Sequence, residues 1–264
     1  MSQDVATEES PWVRLRRHTS ARIGLARTGT SITTNAHLFF LSAHAQARSA
    51  IYDALDATSL KEGLNALGLD SILLHSAADD RRSYLLRPDL GRKLATHSRA
   101  QLVSAAPASC DLAFVVGDGL SSRAVQRHVL PLLDAILPEL RRLEWVIGRV
   151  AIVEQARVAI GDEIGAAVSA SLVAVLIGER PGLMSPDSLG AYLTWAPRVG
   201  RRDAERNCVS NIRPEGLNYS QAAAKILYLL TQARLRQMTG VMLKDEMPTE
   251  YQLAPRRASL LSDS

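Results

Sequence analysis

Cysteine is scarce in this 264-residue chain: Cys110 and Cys208 are the whole complement, far apart, with no C-x-x-C and no Cys/His group at metal-ligand spacing. That scarcity excludes a disulfide framework and speaks against a structural zinc site. Long apolar runs are missing too. Stretches such as residues 164–177 include Gly and Ser and fall short of the roughly 20 residues that cross a bilayer, so no membrane segment is expected. The opening MSQDVATEES is acidic and polar, without the basic start and apolar stretch of a secretory leader, which predicts an intracellular, cytoplasmic protein. No fixed-period repeat is visible, which excludes a solenoid. Charge of one sign is modest at a formal +4, and the densest basic run (Arg14, Arg16, Arg17, His18, Arg22) sits near a terminus rather than among aromatics that could stack bases. It reads as a solvated arm, and no nucleic-acid partner is expected.

What the chain does have is a hydrophobic share of 47%, ample for a buried core. Residues 1–30 read as a flexible arm and residues 248–264 as a polar tail. Residues 31–105 look helical. Leu38, Leu41, Ala45, Arg48 and Tyr52 fall at helical spacing and predict a helix over 34–55 capped by Asn35, with shorter helical pieces over 60–67 and 83–94. After an Ala/Pro/Ser linker at 104–109, residues 106–247 alternate strand, small-residue loop and helix. The apolar runs DLAFVV (111–116), RVAIV (149–153) and LVAVLI (172–177) predict strands. Helices are expected from Ser121 toward Leu133, over 163–170, from Asp187, and over 220–238 with Gly240 as the C-cap. The expected class is α/β, a parallel Rossmann-like sheet flanked by helices, with an N-terminal helical region. The polar segment 201–219 (RRDAERNCVSNIRPEGLNY) shows no obvious element and reads as a functional loop.

Ligands of open parallel sheets lie beyond the carboxyl ends of the strands, which here selects the loops 117–122, 154–162 and 178–187. Each carries small residues that let a ligand approach backbone N–H groups, and each carries an acid. A dinucleotide fits poorly: Gly117-Asp118-Gly119 begins as G-x-G but does not complete the fingerprint, and a tight turn explains its glycines equally well. Cys208 beside Arg206 could have a lowered pKa, yet no His lies near it in sequence. Asp162 and Glu163 read as acids in the first turn of a helix, meeting its dipole.

Five blocks, HSAADDRRSYLLRPDLG (75–91), DLAFVVGDGLSSRAVQ (111–126), ARVAIGDEIG (156–165), LIGERPGLMSPDSLGAYLT (176–194) and RNCVSNIRPEGLNY (206–219), closely resemble the light, or small, chain of ethanolamine ammonia-lyase. The resemblance runs from about Arg22 to Glu246, with Met184 and the segment 39–48 departing from the family pattern. It implies a cobalamin-binding type of fold and an adenosylcobalamin-dependent lyase that converts ethanolamine to acetaldehyde and ammonia by a radical route. It implies a large partner chain holding substrate and the adenosyl side of the cofactor, in a hetero-oligomer, and in some members packaging in a bacterial microcompartment. Carried over onto this chain, the cofactor contacts are Val158, Glu179 and Cys208, with no catalytic or metal-ligating residue. No His here stands two positions after an Asp as in the Asp-x-His-x-x-Gly loop of other cobalamin proteins, so base-on cofactor is expected. Asp118, Asp162 and Arg206 fall near the site without an assigned role. Two other readings stay open, a stand-alone nicotinamide enzyme and a purely structural assembly subunit.

Overall fold

The computed structural model describes residues 10–19, 21–104 and 109–248. All but the first residue of the polar tail expected at 248–264, residues 1–9 and 20 of the arm, and the centre of the linker at 105–108 lie outside the described residues. In chain order come helix α1 (Pro11–Arg16), a two-stranded hairpin of β1 (Arg27–Thr28) and β2 (Ser31–Ile32), and helices α2 (Thr34–Tyr52) and α3 (Ala57–Ala66). Then follow β3 (Ser71–His75), α4 (Arg81–Leu86), α5 (Thr96–Ser104), β4 (Leu112–Gly117), α6 (Ser122–Arg142), β5 (Val150–Glu154), α7 (Ile160–Ala167) and β6 (Leu172–Gly178). The chain closes with β7 (Leu189–Trp195), β8 (Asn207–Ile212) and α8 (Tyr219–Arg236).

One six-stranded sheet, in the order β3-β5-β4-β6-β7-β8, organises the molecule. The first four strands are parallel, and β7 and β8 run antiparallel to their neighbours. Every residue of β4 and β6 is buried, because each strand is covered on both faces. On one face Leu112, Phe114, Val116, Ile152 and Leu176 meet the apolar stripes of α6 and α8; on the other Ala113, Val115, Val153, Val173 and Val175 meet Ile160 and Ile164 of α7 and Leu102 of α5. The amphipathic α6 buries Val125, Val129, Leu132, Leu133, Ile136 and Leu140, and that packing carries the helix through Pro131 and Pro138, well past the expected end near Leu133.

The expected strands at 111–116, 149–153 and 172–177 form within a residue or two. Three expectations need correcting. The N-terminal region is not wholly helical: SILLH (71–75) pairs with β5 as a parallel edge strand, a run too short to announce itself. The helix expected from Asp187 is instead β7, whose alternation sends Leu189, Ala191 and Leu193 into the core while Tyr192 is only partly buried on the other face. The supposed loop 201–219 contains β8, an edge strand in which only Val209 and Ile212 are buried, so its sequence looks polar. Smaller shifts concern caps and ends. The Thr33 side chain caps α2, which ends at Tyr52, and α7 starts three residues early. The cap residue of α8 is Gln237, left-handed at φ +53°, rather than Gly240.

Candidate functional site

As the strand-edge reasoning expects, the three loops after β4, β5 and β6 converge at the carboxyl ends of those strands. They are knitted together by buried polar contacts. The Asp118 carboxylate accepts hydrogen bonds from the backbone N–H of Gln155 (3.0 Å) and Ala156 (2.9 Å), and Arg81 Nη1 stands 3.4 Å away. Burial pushes this carboxyl's pKa up, opposed by those N–H groups and by the guanidinium. Arg81 Nη1 also donates to the Gly119 carbonyl at 2.9 Å, and Leu120 N–H to the Gly178 carbonyl at 3.0 Å.

The glycines here serve internal crossing rather than an exposed ligand edge. Gly119 sits at φ +58°, and a Cβ on it would collide with the Gly178 carbonyl; a Cβ on Gly178 would collide with the Ser121 carbonyl. Gly178 is therefore enclosed, which corrects the expectation of backbone open to a ligand. The rest of the loop is tied to the start of α6: Ser121 Oγ donates to the Pro186 carbonyl at 3.0 Å, and Arg127 pairs with Asp187 at 2.6 Å.

A hollow of about 240 Å³ opens where α7 stops covering the sheet, on the face of β7 and β8 opposite α8. Val158 and Ala159, just before α7, form one side, and Tyr192 and Cys208, register partners on β7 and β8, form another. Cys208 thus lies on a strand, not in a loop. Its thiol faces the Tyr192 side chain across the β7–β8 pair. Burial pushes the thiol's pKa up, Tyr192 opposes that, and the charge of Glu179 adds to it. Burial likewise holds the Tyr192 phenol above its ordinary range. Arg206 does not activate the thiol, because its guanidinium is occupied. It makes a bidentate pair with Asp162 (2.6 and 2.7 Å), also donates to Thr194 Oγ1 (3.0 Å), and is buried with its partner. Asp162 therefore answers a specific cation across the hollow's wall, beyond any helix-dipole role, while its neighbour Glu163 accepts from the Leu94 N–H at 2.9 Å.

Glu179, half-buried at the end of β6, stands beside the hollow. Its Oε2 accepts from the Asn211 backbone N–H at 3.1 Å, where Asn211 has φ +58° next to the β7–β8 bulge. A Cβ on Gly190 would lie 3.0 Å from Glu179 Oε1 and 3.2 Å from the Tyr192 ring, so carboxylate and ring flank the same glycine. The structure thus brings Val158 and Cys208 into one hollow and sets Glu179 against its Tyr192 wall. Tyr192, Arg92 and Arg157 also line or adjoin it and escaped the sequence reading. The alternation of LGAYLTW could have revealed Tyr192; nothing in the sequence marks the two arginines. Among the described residues no group of three or more His, Cys, Asp or Glu could hold a metal ion, and no His lines the hollow. No helix among them is long and apolar enough to cross a membrane.

The family model for the ethanolamine ammonia-lyase light chain (EutC) matches residues 9–244, including α1 and the arm upstream of Arg22. The ethanolamine ammonia-lyase small subunit of Azotobacter vinelandii (strain DJ / ATCC BAA-1303) is 53% identical over 249 residues, 93% of this chain and 92% of that one. Those of Pseudomonas fluorescens (strain SBW25) and Pseudomonas paraeruginosa (strain DSM 24068 / PA7) are each 54% identical, covering 90% and 91% of this chain and 87% and 89% of their own.

Proposed function

The chain belongs to the ethanolamine ammonia-lyase light-chain family, and from that premise we propose that it forms one wall of an adenosylcobalamin site completed by a large partner chain. It is the small subunit of an ammonia-lyase. The observation that carries the cofactor reading is the hollow itself. It is an open recess on an uncovered sheet face, walled by Val158, Tyr192 and an un-ionised Cys208, with the Glu179 carboxylate alongside.

These residues suit a corrin, a broad apolar macrocycle edged with amides. Glu179 can accept hydrogen bonds from amide N–H groups. Val158 and Cys208 offer apolar contact, since a thiol held protonated packs as a small hydrophobe. The recess is several times too small for a whole cobalamin, which fits a wall whose other half belongs to a partner. Leu38, Phe39, Phe40 and Leu41, exposed side by side on α2, also suit a chain that is not meant to stand alone. The sheet accordingly reads as cobalamin-binding in type, with the site on the uncovered face of β7 and β8 beside the loop that follows β5.

When bound, the cofactor supplies radical chemistry through its cobalt–carbon bond, and the protein supplies binding and position. This chain's part is to hold the macrocycle on a rigid strand pair and exclude water from that side. The Asp162–Arg206 pair fixes β8 against α7, and the Asp118 contacts fix the loop that ends in Val158. No His of this chain lines the hollow, so this chain would offer the cobalt no imidazole. Spin resonance of the loaded complex with labelled histidine is expected to show no protein nitrogen on cobalt.

The decisive experiment measures acetaldehyde release from ethanolamine with adenosylcobalamin, by this chain, by its large partner, and by the two mixed. Activity is expected only in the mixture. Glu179→Ala should raise the cofactor concentration needed for half-maximal activity about tenfold, the loss of one charge-assisted hydrogen bond. Because Glu179 also holds the Asn211 N–H, the variant's unfolding midpoint is measured alongside. Unchanged cobalamin affinity in an intact complex would leave an assembly subunit, and NAD binding by the isolated chain would favour the nicotinamide reading.

A further inference from the structure

Past Val158 the hollow turns cationic. Arg157 and Arg92 both line it, and they are held side by side by a backbone clamp in which Arg157 N–H donates to the Gly91 carbonyl at 2.8 Å. Gly91 is needed for that approach: a Cβ there would lie 2.9 Å from Arg157 Cγ, 3.0 Å from the Gln155 carbonyl oxygen and 3.0 Å from the Tyr84 ring. The Arg157 guanidinium is then stacked 4.2 Å from the Tyr84 ring centroid, and Nη2 donates to the Tyr84 carbonyl at 3.3 Å. Neither contact neutralises the cation. Its Nε is buried and has no hydrogen-bond partner among the described residues. Arg92, exposed, makes no ion pair among them either. The third arginine of the hollow, Arg206, is neutralised by Asp162, and the carboxylate there, Asp203, is exposed and stands 3.6 Å from Arg206 Nε.

Two arginines without carboxylate partners, one locked by stacking with a buried N–H unanswered, form a site for an anion. Cobalamin carries one anionic group at neutral pH, the phosphodiester of its nucleotide loop; the corrin edge is amide. We infer that Arg157 and Arg92 hold that phosphodiester, which places the nucleotide loop at the α7 end of the hollow and the corrin over Tyr192 and Cys208. This rests on the cobalamin reading above.

The test uses the complex with the large chain and measures equilibrium binding of three corrinoids by absorbance titration: hydroxocobalamin, cobinamide phosphate and cobinamide, the last lacking phosphate and base. Arg157→Gln and Arg92→Ala are each expected to weaken hydroxocobalamin and cobinamide phosphate about tenfold while leaving cobinamide unchanged. Equal losses for all three ligands, or no loss for any, would overturn the phosphate assignment and leave the cobalamin site standing. A wild-type complex that binds none of them overturns both. Arg157 packs on Tyr84, so if its variant fails to fold, the exposed Arg92 decides the matter.

Discussion

At the scale of single residues, two titratable side chains carry shifts that can be tested, one at the hollow and one on α6. Cys208 is exposed on the edge strand, yet desolvation of its sulfur against the hollow and the neighbouring Glu179 charge hold it as a thiol. Thiol alkylation at neutral pH is expected to be slower than for an unstructured cysteine peptide, and Tyr192→Phe, which removes the hydroxyl that favours the thiolate, should slow it further. His128 shows the opposite shift. It lies on α6 with Nδ1 2.8 Å from the Tyr219 hydroxyl and Nε2 3.8 Å from Asp187, and burial lowers its pKa below the ordinary 6.5, with Asp187 opposing. The unfolded chain therefore takes up the proton first. The stabilisation is complete above about pH 6.5 and is lost as pH falls from there through the lower folded value. Urea denaturation across pH 5 to 8 should show this slope, and His128→Gln should flatten it.

At the scale of elements, the site depends on how β8 and the three loops are fastened. Asp162→Asn leaves the buried Arg206 guanidinium without its counter-charge, and a loss of about 3–5 kcal/mol in urea unfolding is expected. Gly178→Ala probes the loop crossing. Its Cβ would press on the Ser121 carbonyl, a backbone atom that cannot swing aside, so destabilisation at or above the upper end of about 1–3 kcal/mol is expected.

At the scale of the whole molecule, the distribution of apolar surface matters most. The sheet core is closed by α3, α6 and α8 on one face and by α5 and α7 on the other, yet α2 buries only Ala43, Ala47 and Ala50 and leaves its large side chains outside. Leu38 and Phe39 are 58% and 57% exposed. Replacing both by Ser should therefore hardly change the stability of the isolated chain, while weakening its association with the large chain tenfold or more in sedimentation experiments.

The sequence by itself determined the α/β class, the three buried strands at 111–116, 149–153 and 172–177, the gathering of three loops at their ends and, through long blocks of resemblance, the family. Those features rest on continuous apolar runs and on residue identity, both of which are local. Tertiary structure alone decided the rest. SILLH became a strand because β5 offered an open edge, and NCVSNI because β7 did, while its one buried face was too sparse to read. Gly178 and Gly119 turned out to serve each other, since a glycine's purpose depends on what crosses it. The same holds at the hollow: Arg206 is neutral in effect and Arg157 is not only because the fold puts Asp162 beside the first and an aromatic ring beside the second, and partners that distant in sequence are chosen by packing.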